Sequence, residues 1–72
     1  MACVDPDGTL TITATRLLEN LSSGPLPPEE IMTVLKVPLF RLRASLRELA
    51  EMGLVREEGG VYYLTQEGRA RL

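Results

Sequence analysis

Histidine is absent from this sequence, and cysteine occurs once, as Cys3. Without histidine there is no Ser–His or Cys–His nucleophile pair. A single cysteine gives neither a disulfide framework nor a Cys/His zinc site. It fits a reducing compartment, so the expected location is the cytoplasm. No apolar run approaches the roughly 20 residues that span a bilayer, and no charged head with an apolar stretch reads as a signal peptide. A membrane partner is therefore not expected. What remains is a chain of 72 residues, 44% hydrophobic and 25% charged. That is the composition of a folded soluble domain, and the length allows one domain, residues 1–72. So short a chain buries only about 60% of the surface it exposes unfolded. An enzyme active site is not expected in it, and no catalytic residue, cofactor or metal ligand is assigned.

A second absence is local. Between Ile31 and Arg47 there is no acid, while Lys36, Arg41, Arg43 and Arg47 give +4. The remainder holds four bases and ten acids, or −6. The net charge of −2 hides this division, and a binding surface answers to the local field rather than the sum.

The pattern along the chain predicts the elements. Asp5-Pro6-Asp7-Gly8 is a turn signal, and the first ten residues form either a short strand or a frayed tail. Ala14, Leu17, Leu18 and Leu21 recur at helical spacing, with Thr11 or Thr13 as N-cap and Ser22-Ser23-Gly24-Pro25 as the stop. A second helix starts near Pro28, places Glu29 and Glu30 at its positive end, and buries Ile31, Val34 and Leu35. A third starts at Pro38, after a link so short that the two helices must cross. Its buried side is Leu39, Leu42, Leu46, Leu49 and Ala50; Phe40, Arg41, Ala44 and Arg47 lie opposite, with Arg43 on the flank. Gly53 ends it. Leu54–Glu57 and Val61–Leu64 then read as two strands around Glu58-Gly59-Gly60, and Thr65 caps a last short helix.

Helix, helix, tight turn, helix, hairpin and short helix make an α+β, mainly α chain that resembles a winged helix-turn-helix. The likeness is carried by Pro28-Glu29-Glu30-Ile31, by Leu42-x3-Leu46-x2-Leu49-x3-Gly53-Leu54-Val55, and by Tyr63-Leu64-Thr65-x2-Gly68-Arg69-x2-Leu72. Within them, Gly53-Leu54-Val55 and the close Tyr63-Leu64-Thr65-x2-Gly68-Arg69 are similar to transcriptional regulators of the MarR, PadR and ArsR type. The resemblance implies a third helix in the major groove and a hairpin wing on the adjacent backbone or minor groove. It implies DNA-binding positions at Lys36, Phe40, Arg41, Arg43, Ala44, Arg47 and Arg56, with double-stranded DNA as partner.

Two features depart from that pattern. The wing carries Glu57 and Glu58 where such wings carry bases, and carboxylates repel phosphates. Phe40, the single phenylalanine, stands on the exposed side. It packs on a neighbouring element, meets a thymine methyl, or anchors a protein partner. The alternative function is a protein–protein interaction module using the Phe40/Ala44 face. A weak homodimer is a further expectation.

Overall fold

The computed structural model describes residues 11–72. The expectation for residues 1–10 lies outside them. The first helix, α1, spans Ile12–Leu21. Thr11 is its N-cap, and its Oγ1 accepts from the Ala14 N–H at 3.2 Å. That satisfies one of the donors a helix start leaves open. Ala14, Leu17, Leu18 and Leu21 are all buried, as the spacing predicts.

The second helix, α2, spans Pro28–Leu35, with Pro28 in its first turn. It ends on Lys36, whose φ of 57° and ψ of 43° are left-handed. Lys36 N–H donates to the Met32 carbonyl at 2.7 Å, which closes the helix. The third helix, α3, spans Leu39–Glu51. Pro38 is its N-cap rather than its first helical residue, so the link is Lys36-Val37-Pro38.

The buried sides differ from expectation at two places. In α2, Ile31 is buried and Leu35 half-buried, but Val34 is 57% exposed. In α3, Leu42, Ser45, Leu46 and Leu49 are buried, Leu39 is half-buried and Ala50 is exposed. The inward face is rotated toward Ser45, because a helix rolls to seat its largest side chains and the small Ala50 exerts little pull.

The end of α3 is tied in two ways. Gly53 N–H donates to the Ala50 carbonyl at 3.0 Å, and Leu54 N–H to the Leu49 carbonyl at 2.9 Å. Gly53 takes φ 79°, so this is a Schellman closure, and Leu49 and Leu54, at its two apolar positions, are both buried in the core. The first strand, β1, therefore begins one residue later than expected, at Val55, and runs to Glu58. The second strand, β2, is Val61–Leu64. They pair antiparallel, with Val55 opposite Leu64 and Glu58 opposite Val61. Gly59 and Gly60, both at positive φ (60° and 86°), form the two-residue turn.

A short contact invisible in the sequence extends the sheet. Leu26 N–H donates to the Tyr62 carbonyl at 3.1 Å, and Tyr62 N–H returns to the Leu26 carbonyl at 2.9 Å. The flanking Pro25 and Pro27 have no N–H, which limits the pairing to one residue. The last helix, α4, is Gln66–Ala70. Thr65 Oγ1 accepts from the Gly68 N–H at 3.0 Å and donates to the Gly53 carbonyl at 2.6 Å. The core gathers the buried leucines of α1 and α3 with Ile31, Leu54 and Val55, and Leu26, Leu35, Tyr62 and Leu64 pack around it. The architecture is a winged helix: three crossed helices, a hairpin wing, and a short closing helix.

Candidate nucleic-acid interface

Every cation of the acid-free stretch is exposed: Lys36 at the left-handed turn, and Arg41, Arg43 and Arg47 along α3. Among the described residues no carboxylate lies within ion-pair distance of any of them. An Arg47–Glu51 pair at i, i+4 spacing does not form. The guanidinium groups are left to solvent.

They do not form one stripe. A helix turns about 100° per residue, so Arg41 and Arg43 leave α3 about 200° apart, whereas Arg43 and Arg47 share a side. Phe40 and Ala44 stand between these flanks, both exposed, Phe40 at 73%. Phe40 therefore does not pack onto a described neighbour to any large extent.

Arg43 and Arg47 open into a cleft of about 550 Å³ between α3, the start of α2 and the hairpin. Leu46 and Ala50 complete its α3 wall. Pro28 and Glu29 line it from α2, and Glu57, Gly60 and Tyr62 from the hairpin. Strand alternation explains the hairpin's share: Glu57 and Tyr62 are directly paired and lie on the same face as buried Val55. The Glu57 carboxylate is held by the Gly60 N–H at 2.8 Å. Two carboxylates and two guanidinium groups thus share one cleft.

Arg56 lies on the other face of the hairpin. Its Nε is 3.7 Å from Glu58 Oε2, and its guanidinium sits 5.4 Å from the centroid of the Tyr63 ring. Both ion-pair side chains are more than half exposed, so the pair adds little to stability. The structure brings together Arg43, Arg47, Phe40 and Ala44 and does not bring Arg56 to them. Sequence reasoning missed Glu29, Gly60 and Tyr62 as cleft residues. The signal for Tyr62 was its alternation with Tyr63; Glu29 carried none beyond its place at a helix start. No group of three or more acids, cysteines or histidines that could hold a metal lies together among the described residues. No helix among them is long and apolar enough to cross a membrane.

No protein-family model and no curated protein sequence matches the chain. Solved structures do. ZitR of Lactococcus lactis matches with a TM-score of 0.83 at 24% identity, over 99% of this chain and 51% of that one. Sco5413, a MarR family transcriptional regulator from Streptomyces coelicolor, matches with a TM-score of 0.77 at 29% identity, over 86% of this chain and 49% of that one. CalO1, a methyltransferase in calicheamicin biosynthesis solved with SAH bound, matches with a TM-score of 0.71 at 34% identity, over 82% of this chain and 18% of that one. The chain spans between 18% and 51% of the length of these structures.

The winged helix is thus shared with MarR regulators, as the sequence resemblance implies. The expectation that the chain is no enzyme is corrected by CalO1, in which a stretch of this fold is a fifth or less of a methyltransferase.

Proposed function

We propose that the domain binds double-stranded DNA through α3 and serves a transcriptional regulator in the cytoplasm. The observation that carries this reading is the set of four exposed cations, Lys36, Arg41, Arg43 and Arg47, with no described carboxylate in ion-pair range. They belong to the second helix of a helix-turn-helix and to the turn before it, where major-groove contact is made in this architecture. Arg43 and Arg47 supply planar forks for phosphate or guanine, and Phe40 with Ala44 supplies an apolar surface for a thymine methyl. Lys36 and Arg41 dock on backbone phosphates. Arg56, on the outer face of the hairpin, adds at most a peripheral contact. A homodimer, as in two-half-site recognition, doubles this surface.

The test is a fluorescence-anisotropy titration with duplex DNA across a salt series. With four phosphates neutralised, log K falls against log[salt] with a slope of about −3.6, from about −0.9 per contact. A slope near zero refutes the reading.

One observation favours a second reading, a protein-interaction module. Phe40 is a large apolar side chain exposed at the middle of the very face that would meet a partner. CalO1 supports it, since there a chain segment of this fold is part of a longer methyltransferase. In this reading Phe40 and Ala44 anchor a protein surface, rimmed by Arg41 and Arg47.

A further inference from the structure

The cleft between α3 and the hairpin has an electrostatic peculiarity. One wall carries Arg43 and Arg47; the facing walls carry Glu29 and Glu57. Opposite charges sharing so small a space would be expected to pair, yet none of the four is within ion-pair distance of another. Glu57 is drawn back onto its own turn by the Gly60 N–H at 2.8 Å. Glu29 sits in the first turn of α2, and the two arginines project from a different helix. The cleft is left as an open dipole with an apolar lining of Pro28, Leu46, Ala50 and Tyr62.

We propose that this cleft binds a small zwitterion, an α-amino acid with an apolar side chain. The chemistry selects that class. A simple anion satisfies the arginines but is repelled by Glu29 and Glu57. A simple cation meets the reverse. A neutral apolar molecule leaves all four charges without a partner. A molecule with a carboxylate and an ammonium on one carbon gives its carboxylate to the forks of Arg43 and Arg47 and its ammonium to the carboxylates opposite. Its side chain lies on Leu46, Ala50 and the Tyr62 ring. The volume of about 550 Å³ falls in the range of small-molecule sites. The cleft uses two arginines that also belong to the DNA surface, but its occupancy by an amino acid does not require DNA to bind.

The experiment is a chemical-shift titration of the isotope-labelled chain with three probes. They are L-leucine, N-acetyl-L-leucine, which keeps only the carboxylate, and L-leucinamide, which keeps only the ammonium. Leucine is expected to move the Arg43 and Arg47 side-chain Nε–H signals and the Gly60 and Tyr62 amides along one saturable curve. Each single-charge probe binds about tenfold more weakly, the loss of one charge-assisted contact. Glu57→Gln weakens leucine about tenfold while leaving N-acetyl-leucine no weaker, and Arg47→Gln weakens leucine while leaving leucinamide no weaker. An unchanged amide spectrum for the rest of each variant confirms its fold. The proposal is overturned if leucine gives no saturable shift up to its solubility, or if either single-charge probe binds as tightly as leucine.

Discussion

Lys36 carries two demands that pull against each other. Its backbone is left-handed, at φ 57° and ψ 43°, because the chain must reverse within three residues between α2 and α3. For an L-residue that conformation is unfavourable by roughly 1–2 kcal/mol, and glycine is the residue that usually relieves it. Its side chain is one of the four exposed cations on which DNA binding is proposed to rest. Lys36→Gly separates the two demands. The substitution is expected to stabilise the fold by about 0.5–1 kcal/mol, the relief of strain less glycine's extra freedom in the unfolded chain. It is also expected to make the salt slope of DNA binding shallower by about 0.9, one phosphate contact. Urea denaturation reads the first effect and anisotropy the second. Loss of stability would show that the lysine stem contributes packing that the strain argument omits.

The elements were legible in the sequence wherever side chains repeat at a fixed period. Ala14, Leu17, Leu18 and Leu21 define α1 because all four enter the core. The two glycines at 59 and 60 define the hairpin because both adopt positive φ. Legibility ended where position depends on packing between elements. Ser45 turned inward in place of Ala50, Val34 turned outward, and Leu26 found Tyr62 across a loop. The candidate site was half legible: the exposed arginines follow from period and charge, whereas the acids facing them come from other elements. Motif residues that the resemblance rests on have a physical role. Thr65 bonds both the Gly53 carbonyl and the Gly68 N–H, and Thr65 N–H donates to the Leu54 carbonyl at 3.1 Å. Gly68 is buried against the same loop, where a Cβ would overlap the Leu54 carbonyl oxygen and come within 2.7 Å of Leu64 Cδ1. Since the nearest obstacle is backbone, it cannot rotate away. Gly68→Ala is therefore expected to lose about 1–3 kcal/mol despite alanine's better helix propensity. A thermal melt checks it; an unchanged or raised Tm would mean that α4 shifts freely and is not locked to the end of α3.

Across the molecule, charge is divided by location rather than balanced. The stretch from Ile31 to Arg47 is wholly basic, and the acids gather at the start of α2, at the end of α3 and on the wing. A phosphate backbone approaching α3 is attracted by Arg43 and Arg47 and repelled by Glu29 and Glu57 in the same cleft. A protein partner, by contrast, can match both signs and cover Phe40 as well. The two readings of the function therefore make different demands on the same face, and two variants separate them. Replacing Arg43 and Arg47 together by glutamate reverses two charges beside an acidic wing. Under the DNA reading this reduces affinity for duplex at moderate salt by at least about a hundredfold, since about two of four phosphate contacts become repulsive. Phe40→Ala changes no charge, so under that reading the salt slope stays near its original value and affinity falls by no more than about tenfold, the worth of one apolar base contact. Under the protein reading the order inverts. The Phe40 variant loses partner binding by about 2 kcal/mol or more, as removal of a central aromatic anchor does, and the double glutamate variant loses less. Anisotropy with duplex DNA and calorimetry with a binding partner give the two columns of numbers. A double glutamate variant that retains full duplex affinity would take α3 out of DNA binding.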